Sequence, residues 1–556
     1  MTLVVWVLIA SIALLIFYPL LTALVRVAAD LATGADRVQL SDLLASPSNV
    51  YLNTAILVVC SGVLALTIGA LLAWINERTD ASLSSIGRIL PLAPLLIHPL
   101  ASASGWVVLL DPRVGLMNGW LRGLLTLFGI QLSTGPLNVY SFPALIGVST
   151  LQLVPFGFLI VSGALGRLDP SLEEASRVSR AGPLRTLARV TLPAIAPSLA
   201  NAAVVTLILG LGLFTVPVII GTGARIDVLS VHIYNLINAA FPPRTAQALA
   251  FALVLMVIVQ LLLGLQRATL RVGRFTAVGG RGFRAARVEL GRWRIVARAF
   301  AIAYLGAAAV LPLIGLLMVS LQHFWTPSFD ISQLTLANYQ AVVIDNRDTS
   351  QALVRSLVLA AGGATLVMLV TATLMLHLYR GGGRAKQLTD ILTAIPATLP
   401  ATVLGVGLLI AFSRPPVKLY GSPLLLLVAY FIAGLPFAAR TAEAAASQVG
   451  AELAEASRVF RASAVGTLWH VLLPLALPGL AAGWVMVFVL MVSETTASAL
   501  LSGTGNLVIG RVLLDLWSNG SFPQMTALAL LISLVDAICV LAVLRLTRRN
   551  FELAVS

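Results

Sequence analysis

The chain has 556 residues, of which 59% are hydrophobic and only 10% charged. A soluble domain carries about 25% charged residues, so water is excluded as the solvent for most of this chain. The formal charge of +14 would suggest a nucleic-acid partner for a soluble protein, but at this apolarity it asks which side of a membrane the basic residues occupy.

A spanning helix needs about 20 predominantly apolar residues, because the hydrocarbon core is about 30 Å thick. Twelve segments meet that requirement. They lie near 3–25, 50–75, 87–110, 138–165, 193–222 and 246–265, then near 298–321, 353–378, 390–412, 421–438, 475–499 and 524–544. The expected fold is an all-α polytopic membrane protein of about twelve transmembrane helices. The first segment has no basic stretch before it and no small-residue cleavage site after it, so it is expected to stay as a span. Several segments contain proline, notably Pro94, Pro99, Pro396 and Pro400. These are expected to be accommodated inside spanning helices, because neighbouring helices re-satisfy the freed backbone groups.

An even number of spans puts both termini on one side. If that side is the cytoplasm, 25 of the 36 Lys and Arg residues fall inside, as the excess of basic residues in cytoplasmic loops requires. The tail residues Arg545, Arg548 and Arg549 agree, whereas Arg26 falls outside. Nine arginines, from Arg267 to Arg298, face one acid, Glu289, along the segment that joins the sixth and seventh spans. That segment reads as a positive-inside anchor or as a contact for anionic membrane lipid.

The two cysteines, Cys60 and Cys539, both sit in apolar runs, which leaves no disulfide framework and no Cys-based metal site. His98 in the third span is expected to be a hydrogen-bonded core residue. His232, His323, His377 and His470 form no cluster with ligand spacing. No metal site and no catalytic nucleophile–base constellation is expected.

The chain repeats itself. Residues 174–200 (EASRVSRAGPLRTLARVTLPAIAPSLA) and 455–481 (EASRVFRASAVGTLWHVLLPLALPGLA) agree at 15 of 27 positions at an offset of 281. Both copies lie between the fourth and fifth span of their half. Two six-span halves facing the same way are therefore expected, as in parallel transporter repeats. The halves are 1–265, with a loop at 169–190, and 298–556, with a loop at 450–471, joined by a basic cytoplasmic linker at 266–297.

The first loop begins helically, with Asp169 and Pro170 at N-cap and first-turn positions and Glu173 and Glu174 in an acidic first turn. The second copy has Gly450 and Ala451 at that start. Small residues, arginines and a closing Leu-Pro follow in both. A short small-faced amphipathic helix of this kind suits docking into a groove of another protein or lying on lipid headgroups. Duplication in register favours docking.

These residues resemble the E-A-A-x3-G-x9-I-x-L-P loop of permease subunits in binding-protein-dependent ABC importers, which have the MetI-like fold. The resemblance covers about 50–265 and 350–545. It implies that the loops are coupling helices seated in clefts of ATPase subunits. Carried over, Glu174, Ala175, Leu192 and Pro193 match in the first copy, and Glu455, Ala456, Leu473 and Pro474 in the second. The third small position is Ser176 and Ser457. The family glycine falls at Arg180 and Arg461, and Gly182 comes two residues late with Ser463 opposite it.

The only lysines, Lys386 and Lys418, lie in no G-x-x-x-x-G-K-[ST] loop, so a nucleotide-binding P-loop is lacking. The resemblance then implies two copies of a separate cytoplasmic ATPase, which would bind ATP and Mg, and an extracytoplasmic solute-binding protein. The chain itself would carry no cofactor and would be no enzyme, with no nucleic-acid partner. Its expected place is the bacterial inner membrane. The competing class is an ion-coupled secondary transporter, for which Glu494 and Asp536 are the intramembrane acids, and a third is a channel.

Among such permeases the fused two-half chain resembles the ferric-iron type, with thiamine, phosphonate and polyamine relatives. The linker stretch RFTAVGGRG (274–282) and SETTASALL (493–501) carry that likeness, the latter placing Glu494 on the ferric group's acid. FTVPVIIG (214–221) resembles the matching stretch of the first half, with Leu213 in the acidic position. Phe214, Thr215, Glu494 and Thr495 are the candidate pathway residues on this resemblance.

Overall fold

The computed structural model describes residues 2–33, 49–83, 87, 90–272, 287–326, 330–378, 383–448, 457, 459, 463–503 and 505–553. Among them the long elements are all helical. The principal ones are α1 (Thr2–Thr33), α2 (Val50–Arg78), α3 (Pro99–Leu110), α4 (Phe142–Arg167), α5 (Ala196–Leu211) and α6 (Thr245–Val272). They continue as α7 (Trp293–Ser320), α8 (Arg347–Leu378), α9 (Ala401–Phe412), α10 (Pro423–Gln448), α11 (Leu473–Val492) and α12 (Phe522–Leu553).

Nine helices among the described residues are long and apolar enough to cross a membrane, and twelve spans result if each of three bent pairs counts as one. The bends correct the expectation that prolines are absorbed into continuous helices. Leu90–Leu96 turns by 98° into α3, and Arg384–Thr398 turns by 102° into α9. The cause is the residue before each proline, which proline's ring drives out of the helical region. His98 before Pro99 has ψ 131°, and Leu399 before Pro400 has ψ 118°. His98 also caps the new helix, its Nδ1 accepting from the Leu100 amide at 3.2 Å, so it is the core residue expected from the sequence. The third bend, of 68°, separates Leu187–Ala194 from α5.

A second proline device recurs. Of the five π turns among the described residues, three, at Leu187–Thr191, Gly306–Val310 and Leu468–Leu472, are followed two residues later by a proline (Pro193, Pro312, Pro474). Proline offers no amide to the carbonyl four residues back and its ring crowds it. Widening the preceding turn relieves that clash. The first and third of these three π turns are separated by 281 residues, the repeat offset.

Contacts divide the chain into two compact units, Ser46–His232 with Val257–Asn338, and Met1–Ala45 with Ile233–Met256 and Tyr339–Ser556. In the first, α2 packs along α4, α5 lies on both, and α7 packs on α3. In the second, α8, α10 and α11 form the corresponding trio and α1 packs on α9. The second unit thus takes α1 from the start of the chain, and the first takes α7 from the start of the second half. In a membrane, helix association rests on close packing rather than on expulsion of water. At Gly69 a side chain would stand 2.7 Å from the Phe158 amide nitrogen of α4, so only glycine permits that approach. Leu72, Leu153, Val161 and Leu165 fill the same seam.

Candidate functional site

The first repeated loop begins where α4 ends. Asp169 Oδ1 accepts from the Ser171 amide at 2.9 Å, a helix-capping bond that holds the Asp169 carboxyl below its ordinary range. The helix Pro170–Val178 follows. Its inward face carries Glu173, which is only 2% exposed. Glu173 Oε1 accepts from the Thr191 hydroxyl at 2.8 Å, and Oε2 lies 3.4 Å from Nη1 of Arg78. Arg78 is equally buried, at the end of α2, and its Nη2 donates to the Leu165 and Leu168 carbonyls at 2.6 and 3.0 Å. These are carbonyls of a helix end, where the chain offers no amide of its own. One guanidinium therefore joins α2, the end of α4 and the loop helix.

The sequence reading placed the functional acid at Glu174 and took Glu173 as part of an acidic first turn. In the structure Glu174 and Ala175 are exposed, together with Leu172 and Val178, the last at 85%. Glu173 is the acid that holds the helix down. No local pattern could have revealed this, since its partner Arg78 is 95 residues away.

Ser176 is half-buried, and its hydroxyl oxygen lies 2.9 Å from that of Thr186. The helix then stops at Arg180, whose φ is 57°. The Ala181 amide reaches back to the Ser176 carbonyl and the Ser179 amide to that of Ala175, both at 3.1 Å. This is a left-handed helix stop of the kind glycine usually fills. Gly182, by contrast, is not in the left-handed region. Leu192 and Pro193 are exposed after the π turn.

The second loop repeats what can be compared. Ser457 and Thr467 bring their hydroxyl oxygens to 2.8 Å, 281 residues beyond Ser176 and Thr186. Leu473 is half-buried and Pro474 exposed. Glu455, Ala456 and Arg461 lie outside the described residues.

The candidate pathway residues mark a second repeated feature, a break at the far end of α5 and of α11. In the first unit α5 stops at Leu211, Phe214 and Thr215 are buried, and Ser230 Oγ donates to the Leu213 carbonyl at 2.6 Å. In the second unit α11 stops at Val492 and Thr495 is buried. Glu494 Oε1 accepts from the Ala497 amide at 2.8 Å, which makes it the cap of the short helix Thr496–Leu501. Ser498 Oγ donates to the Glu494 carbonyl at 2.6 Å and meets Tyr430 Oη at 2.8 Å. Ser493 donates to Asp536 Oδ2 at 3.0 Å. Among the described residues no group of three or more His, Cys, Asp or Glu side chains is placed to hold a metal ion.

Two stretches of the chain, 54–271 and 370–551, match the family described as binding-protein-dependent transport system inner membrane component. The chain belongs to this family. The two matches cover both repeated loops and both breaks, so the internal duplication is a duplication of the family's own unit. The chain is accordingly a multi-pass component of a membrane transport system rather than an enzyme. It is similar to the ferric transport system permease protein FbpB of Actinobacillus pleuropneumoniae, with 25% identity over 481 residues, covering 83% of this chain and 66% of that one. A putative ferric transport system permease protein FbpB 1 of Haemophilus influenzae is 26% identical over 460 residues, covering 79% and 68%. The spermidine/putrescine transport system permease protein PotC of Escherichia coli is 26% identical over 205 residues, 37% of this chain and 76% of its own length. The transport component thus spans about two thirds of the length of the ferric relatives it matches.

Proposed function

We propose that this chain is the fused two-half permease of an ATP-driven importer. Both halves would be served by the two loops, each docking one copy of a cytoplasmic ATPase that binds Mg and ATP. The observation that carries this reading is the first loop itself. Its helix is fastened on one face by buried Glu173 and presents Leu172, Glu174, Ala175 and Val178 outward. An exposed apolar residue such as Val178 beside small residues is suited to a groove in another protein. In this reading the loops, both termini and the linker lie on the cytoplasmic side of the inner membrane, where 25 of 36 basic residues fall. A solute-binding protein would deliver cargo to the opposite face, and rocking of the halves would pass it inward.

The proposed cargo is ferric iron or a related small solute. The ferric permeases match most of the chain, and Glu494 supplies an acid at the break after α11, with Leu213 at the matching sequence position of the first half. Polyamine, thiamine and phosphonate remain the alternatives. The ion-coupled reading draws its support from Asp536, a carboxylate 1% exposed inside α12 with one oxygen lacking a hydrogen-bond partner.

Capture and reconstitution test the reading together. The chain should retain an ABC ATPase on purification and take up solute into proteoliposomes only with internal ATP. Uptake without any ATPase that collapses with the proton gradient would replace it by the ion-coupled alternative. Glu174→Ala combined with Glu455→Ala should abolish ATPase capture.

A further inference from the structure

The end of α2 holds more than the loop. While the Arg78 side chain binds Glu173, its backbone carbonyl accepts from the Val288 amide at 2.8 Å, and the Asp80 amide donates to the Val288 carbonyl at 3.1 Å. Thr79 and Val288 form an isolated parallel bridge. Asp80 Oδ1 accepts from the Leu290 amide at 3.1 Å, and Oδ2 lies 3.8 Å from Arg294 Nη1. Three residues, Arg78, Thr79 and Asp80, therefore tie the far end of the basic linker to the same point that anchors the first loop.

We propose that Arg78 and Glu173 are positioning residues that make the first coupling loop a rigid lever, and that the two loops are mechanically unequal. The proposal rests on the coupling reading above. A buried ion pair contributes little net stability, because desolvation of both charges offsets their attraction, but it fixes geometry, since any displacement leaves a buried charge alone. Movement imposed on Pro170–Val178 is thereby passed at once to α2, to the end of α4 and to the linker that leads into α7. At the position 281 residues beyond Glu173 the second copy has Ala454, which offers neither a charge nor an acceptor on its side chain.

Glu173→Gln tests the lever, because it keeps the side chain's size and an acceptor for Thr191 while removing the charge. The outer face is untouched, so ATPase capture should persist. The ATP hydrolysed per solute imported should rise by roughly fivefold or more, the lower range of typical coupling between sites. Glu173→Asp should recover part of the loss. Thermal unfolding in detergent reads whether each variant stays folded, and Thr191→Val, which spares the ion pair, should leave the ratio near that of the parent. Single substitutions Glu174→Ala and Glu455→Ala should also differ, with the first-loop variant losing more transport. Failure of the unsubstituted chain to capture an ATPase would overturn the coupling reading itself. Capture with an unchanged ratio in Glu173→Gln, or equal losses from the two loop variants, would overturn the lever alone.

Discussion

Ser176 and Thr186 hold their hydroxyl oxygens 2.9 Å apart across the first loop, and Ser457 and Thr467 do the same at 2.8 Å in the second. In the first loop the contact joins the helix Pro170–Val178 to the short helix Pro183–Thr186 that leads into the π turn. A lone threonine hydroxyl would be costly here, because Thr186 is buried.

Ser176→Ala is accordingly expected to cost about 1 kcal/mol of local stability, with Thr186 left unsatisfied. Thr186→Val in the Ser176→Ala background should add little, since the two act as one contact. Limited proteolysis within 176–186 of the purified chain reads the effect, and additive costs would show that the hydroxyls do not interact.

Arg180 occupies the left-handed region that the family pattern fills with glycine, and Gly182 does not. Arg180→Gly should therefore stabilise the loop by about 0.5–1 kcal/mol, since a left-handed residue with a Cβ is strained. Gly182→Ala should be neutral or slightly stabilising, because a Cβ there meets nothing within 4 Å. Thermal unfolding of both variants in detergent checks the pair, and a loss on Arg180→Gly would mean that the arginine side chain makes a contact worth more than the strain.

How much of this was legible in advance follows from the range of the forces involved. The spans were readable because about 20 apolar residues in a row have few other uses, and the family was readable because the repeat kept Glu174, Ala175, Leu192 and Pro193 in register with the second copy. Pro99 and Pro400 were visible as residues, but whether a proline bends a helix or is absorbed depends on the residue before it and on what packs around the break. Hence two of the expected spans turn by 98° and 102°. Glu173 and Arg78 were beyond sequence reasoning, since their pairing needs α2 and α4 to lie side by side. The exchange of α1 and α7 between compact units is likewise a property of packing, and nothing in either helix's own residues announces it.

Asn118 organises the segment between α3 and α4. Its Nδ2 reaches the carbonyls of Leu110, Asp111 and Leu137 at 3.0, 3.0 and 2.6 Å, and its Oδ1 accepts from the Leu137 amide at 3.1 Å. The side chain is fully buried. Asn118→Ala would strand several backbone groups at once and should cost about 2–3 kcal/mol. Hydrogen exchange at the Leu137 amide should accelerate accordingly, while ATPase capture at the distant loop stays intact. Retained protection at Leu137 would show that another group holds the segment.

Glu494 has two possible duties that a single substitution separates. Its Oε1 caps Thr496–Leu501 by accepting from the Ala497 amide, and an amide oxygen can accept the same bond. Glu494→Gln should therefore leave thermal stability unchanged, while Glu494→Ala should lose about 1 kcal/mol with the cap. If the carboxylate also attracts a cationic cargo, Glu494→Gln lowers solute uptake at an unchanged ATPase content, and the expected result is that it does. A cation within a span meets low dielectric, where a negative charge acts far more strongly than in water. Full uptake by Glu494→Gln together with reduced stability of Glu494→Ala would confine the residue to capping, and would remove from the chain the acid that points to a cationic solute.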